Sequence, residues 1–172
     1  MCPDEYDDID HYVLTDSEFS NICKVLKSLG PGPRMCVIRT LINSWTTSGR
    51  MGEAVDLPCF YCGADMDDDL DHYLECEHMW SILINSANLG TQSLPLLALA
   101  PSERLGMLHP SLVCFKLLAG AFLVYHALKF DHMNELQHAF ASGDHSPILI
   151  LAARLAVHHY KEIESLAAHH EG

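Results

Sequence analysis

The sequence predicts an all-α fold in which one short irregular segment interrupts the helices. Apolar residues recur at helical spacing over most of the 172 residues. No stretch shows the sustained apolar–polar alternation that is typical of a half-buried β-strand. The irregular segment contains a Cys-x2-Cys pair, a spacing that lets two sulfurs reach one metal ion. The predicted class is therefore a helical domain with a small irregular zinc knuckle.

Local signals predict two helices before residue 50. Thr15-Asp16-Ser17-Glu18 has the form of a capping box, and Gly30 can end the helix that follows it. Pro33 can open the next helix, because proline is tolerated in the first turn. The apolar stripe of that helix consists of Val37, Ile38, Leu41, Ile42 and Trp45. We therefore expect the second helix to reach Trp45.

Four further helical segments are predicted after the irregular residues 50–66. One runs from Leu70 to Leu89, where Gly90 can end it. A long one runs from Leu112 to about His132 with Ser111 as its cap. The others are a short segment that ends near Phe140 and a final helix from Ser146 to about Ala168.

The apolar run at 112–130 is long enough to raise the question of a membrane span. Lys116 and His126 lie inside it, and a charge at the centre of a span costs about 2.5–3.5 kcal/mol. We therefore expect a helix buried in protein and no membrane partner.

Length and charge divide the chain into a lead and one domain. Residues 1–14 are expected to be an acidic flexible lead, and 15–170 a single zinc-stabilised helical domain with its knuckle at 57–80. The net charge of −13 argues against a basic nucleic-acid coat protein. The segments 1–18 and 65–77 each carry seven acidic and no basic residues.

A local basic surface is nevertheless possible, because the segment 24–50 contains five basic and no acidic residues. These candidate nucleic-acid-binding residues are Lys24, Lys27, Arg34, Arg39 and Arg50. The alternative for Arg39 is an inward ion pair with the acidic loop at Asp67–Asp71, which would remove it from the surface.

The strongest chemical signal is the pattern C-x2-C-x9-H-x3-C, formed by Cys59, Cys62, His72 and Cys76. Gly63 permits the left-handed turn that aims backbone N–H groups at the sulfurs. His72 and Cys76 are spaced to share one face of a helix. Four protein ligands make a closed tetrahedral set, which is typical of structural Zn²⁺ rather than of a site that activates water.

Three alternatives to this ligand set stay open. His78 could replace Cys76, or the four residues could be ordinary buried cysteines and a surface histidine. Asp67-Asp68-Asp69 could hold Mg²⁺, although adjacent side chains seldom converge on one ion. A second metal site is also possible among the twelve histidines, which include the pairs His158-His159 and His169-His170.

No nucleophile elbow, P-loop or dinucleotide fingerprint occurs in the sequence, so we expect neither catalysis nor a small-molecule substrate. Seven cysteines cannot all pair within one chain, and the N-terminal residues do not resemble a signal peptide. These observations predict an intracellular protein, nuclear or cytoplasmic.

Several of these strings together resemble a known region of mobile elements. Arg39-Thr40-Leu41-Ile42-Asn43-Ser44-Trp45-Thr46-Thr47-Ser48, then Arg50, precedes the Cys59/Cys62 pair, and Asp71-His72-Tyr73-Leu74-Glu75-Cys76 and Trp80 follow it. This order is similar to the C-terminal zinc-knuckle (CCHC) region of LINE-type non-LTR retrotransposon reverse transcriptases. The resemblance covers roughly residues 34–165.

The resemblance implies a module that follows a polymerase and binds the element's RNA or its target DNA. It implies that Cys59, Cys62, His72 and Cys76 are zinc ligands and that Arg39 and Arg50 are basic residues beside them. The chain contains neither a polymerase palm nor an endonuclease domain. Two hypotheses follow: a retrotransposon-derived remnant that binds RNA or DNA, and an acidic protein-interaction or assembly module with structural zinc.

Overall fold

A computed structural model describes residues 14–53, 57–63, 68–88, 101–107 and 109–168. The helices are α1 (Asp16–Lys27), α2 (Pro31–Leu41), α3 (Ser48–Met51), α4 (Leu70–Glu75), α5 (Glu77–Ser86), α6 (Pro101–Arg104), α7 (Leu112–His126), a π-helical turn (Ala127–Asp131), α8 (Met133–Ser142) and α9 (Ser146–Ala168). These residues contain no β-strand, which confirms the all-α class. Almost all of the predicted acidic lead lies outside the described residues.

The start of α1 is the capping box that the sequence predicts. The Thr15 hydroxyl accepts a hydrogen bond from the backbone N–H of Glu18, and the Glu18 carboxylate accepts one of 2.8 Å from the N–H of Thr15. Both donors would otherwise lack a partner within the helix. The local signal thus fixes where the first helix begins.

The guanidinium of Arg34 joins α2 to the end of α1. It donates hydrogen bonds to the backbone carbonyls of Leu26 (2.9 Å), Lys27 (3.1 Å) and Leu29 (2.8 Å). These carbonyls lie at the C-terminal end of a helix, where acceptors are left unpaired and a positive charge is favourable. Arg34, a candidate for nucleic-acid binding, therefore has an internal structural role.

The second helix is shorter than predicted. It ends at Leu41, and Asn43 has a left-handed φ of 48°, which a helix cannot continue through. Trp45 consequently lies in the following loop and is still buried, with its indole N–H donating to the Thr40 hydroxyl at 2.9 Å. Trp45 thus enters the core from a loop rather than from a helix face.

The predicted helix from Leu70 to Leu89 is divided in two at Cys76. This residue has an extended ψ of 103°, so α4 ends and α5 begins there. The Leu74 carbonyl accepts hydrogen bonds from the indole N–H of Trp80 (2.9 Å) and from Arg104 (2.6 Å). These two side chains satisfy a carbonyl beside the break.

The long apolar helix α7 occupies the centre of the fold and packs against α2, α5 and α9. It changes from α-helix to π-helix at Ala127, so the predicted α-helix to about His132 is wrong in its last turn. Among the described residues, Leu112–Asp131 is the one stretch whose length and composition would allow a membrane span. Of its most apolar window, 72% is buried, which is how a core helix behaves.

Candidate metal centre

Cys59, Cys62, His72 and Cys76 form a compact cluster in which the four ligand atoms all lie within 4.8 Å of one another. The Sγ atoms of Cys59 and Cys76 are 3.8 Å apart. The Sγ atom of Cys62 is 3.3 Å from Nε2 of His72. The set that the sequence predicts is therefore brought together and could hold a metal ion.

The sulfur separation fits a tetrahedral zinc ion. With Zn–S bonds of about 2.3 Å and tetrahedral angles, two ligand sulfurs lie about 3.8 Å apart. The Cys59–Cys76 distance of 3.8 Å has this value. Three soft thiolates and one imidazole also bind Zn²⁺ in preference to Mg²⁺ or Ca²⁺. The four residues thus fit the ion in both geometry and chemistry.

Cys59 and Cys62 lie in a tight turn that ends at Gly63. The N–H of Gly63 donates to the Cys59 carbonyl at 2.9 Å, and the φ of Gly63 is +62°. A Cβ at this position would collide with the ring of His145. The contact with Cys76 and burial raise the pKa of the Cys59 thiol, and backbone hydrogen bonds from Cys62 and Tyr61 offset part of that rise. The expected role of the glycine is therefore found, together with a close approach by His145.

Of the other two cluster residues, His72 lies in the first turn of α4 and Cys76 directly follows its last residue. The Asp69 carboxylate caps this helix by accepting a 2.7 Å hydrogen bond from the N–H of His72. Cys76 lies at the break between α4 and α5, so it is not inside one continuous helix as predicted. Its N–H still donates to the His72 carbonyl at 2.8 Å, which keeps the two ligands one turn apart.

Two of the thiols interact directly, and this contact separates their acidities. The hydrogen bond from Cys59 lowers the pKa of Cys76 to about 5, and backbone and His72 interactions add to the effect. The same hydrogen bond, together with burial, raises the pKa of Cys59. A bound cation would favour both thiolates, since metal binding displaces the thiol protons.

Aromatic side chains surround the buried side of the cluster. Cys59 is 0% and Cys76 is 4% exposed, whereas Cys62 and His72 are half-buried. Phe60 stacks on Tyr125 with a centroid separation of 5.2 Å, and the ring of Tyr73 lies 5.8 Å from that of Tyr61. This packing joins the knuckle to α7 through side chains rather than through the ligands alone.

Asp68, four residues before His72, is fully buried and accepts hydrogen bonds from several elements. Its carboxylate accepts hydrogen bonds from the backbone N–H and the hydroxyl of Ser48, each at 2.8 Å. It also receives the hydroxyls of Tyr73 at 2.7 Å and of Tyr125 at 3.1 Å. Such saturation of the acceptor is what makes a buried carboxylate tolerable.

Lys129 from the π-helical turn completes this network. Its Nζ is 3.3 Å from the Asp68 carboxylate and 3.0 Å from that of Glu53, and its side chain is 3% exposed. π-Helical turns are rare and are frequently found at functional sites. In the sequence Asp68 is one of several acids in a charged loop, and no local signal distinguishes it from its neighbours.

The other residues that the sequence offers as metal ligands or ion-pair partners lie outside the Cys/His cluster. His78 is exposed on α5 and is not part of the cluster. Asp68 and Asp69 are each bonded to protein donors and point to different partners, and Asp67 lies outside the described residues. Lys129, rather than Arg39, forms the ion pair with Asp68.

The remaining basic candidates lie at or near the surface. Lys24, Lys27, Arg39 and Arg50 are exposed. The Arg39 guanidinium lies 5.8 Å from the ring centre of Phe122, and Arg50 donates a 3.2 Å hydrogen bond to the Trp45 carbonyl. These contacts hold the two arginines without burying their charges.

Comparisons with protein-family models, with curated proteins and with solved structures give no match for this chain.

Proposed function

We propose that the chain is a zinc-stabilised helical module without catalytic activity that binds RNA or DNA, as a retrotransposon-derived remnant. The observation that carries the metal part is the convergence of Cys59, Cys62, His72 and Cys76 within 4.8 Å. Four protein ligands would fill a tetrahedral ion and leave no position for a substrate or a reactive water. The ion would then connect the Cys59–Gly63 turn to α4.

The proposed binding of RNA or DNA is supported by the exposure of basic side chains. Of the five basic residues in 24–50, the four exposed ones are Lys24, Lys27, Arg39 and Arg50. No acidic residue occurs between them in the sequence. Phosphate contacts depend on such accessible positive charge more than on net charge. The resemblance to the CCHC region of LINE-type reverse transcriptases points to the same class of partner.

The metal is tested by measuring the zinc content of the purified full chain by mass spectrometry. We expect one tightly bound zinc per chain under metal-limited conditions, and its loss in Cys59→Ser. Cys23→Ser is the matched control, because Cys23 is a half-buried cysteine of α1 outside the cluster. Full zinc retention in Cys59→Ser, or equal loss in both variants, would refute the assignment.

Nucleic-acid binding is tested by titrating short RNA and duplex DNA at several salt concentrations. Each phosphate neutralised contributes about −0.9 to the log–log salt slope for duplex DNA, so Arg39→Ala/Arg50→Ala should flatten it by up to about 1.8. Arg154→Ala, an exposed arginine of α9, is the control for loss of charge alone. Binding that is absent, or equal in both variants, argues against this surface.

An apolar groove favours protein interaction as the second candidate. A cavity of about 350 Å³ between α1 and α2 has Phe19 and Ile42 on its wall, and these side chains are 60% and 65% exposed. Exposed apolar patches of this kind often mark contact sites. If the salt titrations show no nucleic-acid binding while zinc is retained, an acidic interaction module with structural zinc becomes the leading function.

A further inference from the structure

A second group of ligand-type side chains lies on α9, away from the knuckle. The atoms that His158, His159 and Glu162 could offer to an ion lie within 4.8 Å of one another. His158 Nε2 is 3.5 Å from one Glu162 carboxylate oxygen, and His159 Nδ1 is 3.1 Å from the other. The two imidazole rings therefore face the same carboxylate.

This convergence follows from helical geometry. At about 100° per residue, Glu162 lies about 40° around the axis from His158 and about 60° from His159, one turn further along. Its side chain thus falls between the two rings. The spacings of four and three residues are those that place helical side chains in contact. Adjacent histidines alone would diverge, and Glu162 is what brings them to one point.

The group borders open space. His158 and Glu162 line a cavity of about 570 Å³ between the first turns of α2 and the second half of α9, with Leu123 of α7 also on its wall. The side chain of His158 is 64% exposed and that of Glu162 is 53% exposed. The positively charged side chain of Lys161 also lines this cavity. An ion held here would keep positions open to water, unlike an ion in the knuckle.

We propose that His158, His159 and Glu162 form a second metal site for a borderline divalent cation such as Zn²⁺, Cu²⁺ or Ni²⁺. Two imidazole nitrogens and one carboxylate suit these ions, whereas Mg²⁺ and Ca²⁺ prefer oxygen ligands alone. The Glu162 carboxylate already contacts both imidazole rings. A bound metal ion would replace those contacts without a rearrangement of the helix. With only three ligands, two of which are more than half exposed, the site binds more weakly than the knuckle. The proposal does not depend on nucleic-acid binding.

The experiment measures the zinc stoichiometry of the full chain by native mass spectrometry, with zinc limiting and then in excess. The wild-type protein should take up one ion first and a second only in excess. His158→Asn and Glu162→Gln should each weaken the second binding step at least about tenfold, the lower end of what even outer-shell changes cost. His138→Asn, an exposed histidine of α8, is the matched control and should keep both steps.

Cobalt distinguishes the two sites independently. Co²⁺ bound by thiolates gives sulfur-to-metal charge-transfer absorption, which a His/Glu site lacks. Cys59→Ser should therefore weaken the charge-transfer band while the second binding step persists. A wild-type protein that never binds a second ion, or a second step that survives both His158→Asn and Glu162→Gln, would overturn the proposal and leave the knuckle assignment intact.

Discussion

Lys129 and Asp68 form an ion pair of 3.3 Å in which the two side chains are 3% and 0% exposed. They lie 61 positions apart in the sequence. The pair connects the π-helical turn after α7 to the segment between the two halves of the knuckle. The position of α4, and with it His72, is therefore set partly by α7, independently of any bound ion.

Asp68→Asn is expected to lower the free energy of unfolding by about 3 kcal/mol, the lower end of the cost of breaking a buried ion pair. Lys129 would retain Glu53 as a partner, which limits the loss. Urea denaturation measures the effect. Glu75→Gln, an exposed acid of α4, should change stability by no more than about 0.5 kcal/mol. Equal effects of the two substitutions would contradict the role of Asp68.

Gly63→Ala is expected to weaken zinc binding. A residue with a Cβ pays about 1–2 kcal/mol in the left-handed region, and here the Cβ would also displace the ring of His145. Gly143→Ala is the matched control, since Gly143 has a φ of +71° but no atom near the added Cβ. Competition with a zinc chelator should show reduced affinity for Gly63→Ala alone. An unchanged zinc affinity would contradict the prediction, because it would show that the turn tolerates both the backbone strain and the contact with His145.

Arg34→Ala should destabilise the protein by about 1.5–3 kcal/mol, because hydrogen bonds from a charged donor to the carbonyls ending α1 are lost. Arg34→Lys should recover little, since an ammonium cannot reproduce the planar fork. Thermal unfolding measures both, with Arg154→Ala as an exposed control. If Arg34→Ala instead leaves stability unchanged and flattens the salt slope of nucleic-acid binding, Arg34 is a phosphate contact.

His126 is expected to make the fold sensitive to acid. Burial, followed by the charges of Arg39 and Lys129, lowers the pKa of His126 below its usual 6.5. The unfolded chain therefore binds this proton first as the pH falls, so the contribution to stability is present above about pH 6.5 and declines below it. The urea midpoint of His126→Leu should fall less between pH 7.5 and 5.5 than that of wild type. His138→Leu should behave like wild type, and a parallel fall in all three proteins would exclude His126 as the cause.

Features encoded over a few residues could be predicted from the sequence. The capping box of Thr15 and Glu18 needs only four residues, and its hydrogen bonds are confirmed. The ligand spacing of Cys59, Cys62, His72 and Cys76 also correctly predicted which side chains converge. In both cases the partners are close in sequence, so local geometry already restricts their positions.

Features that depend on distant partners could not be predicted. The break at Cys76 is accompanied by a hydrogen bond from Arg104, thirty residues beyond Leu74, and helical periodicity contains no sign of it. Asp68 looks like any acid in a charged loop until Tyr125 and Lys129 are brought to it from α7 and the turn that follows. Charge along the sequence did not show that Arg34 serves a helix end.

The burial of α7 has a consequence for synthesis on the ribosome. Ribosomes extend a chain from its N-terminus, and apolar segments that lack their cover are prone to aggregate. α7 packs extensively against α9, which begins twenty residues after α7 ends. Until α9 has left the exit tunnel, α7, the most apolar of the described helices, has no cover on that side. A nascent chain stalled with α7 outside the tunnel and α9 still inside it would therefore expose a surface that holdase chaperones recognise.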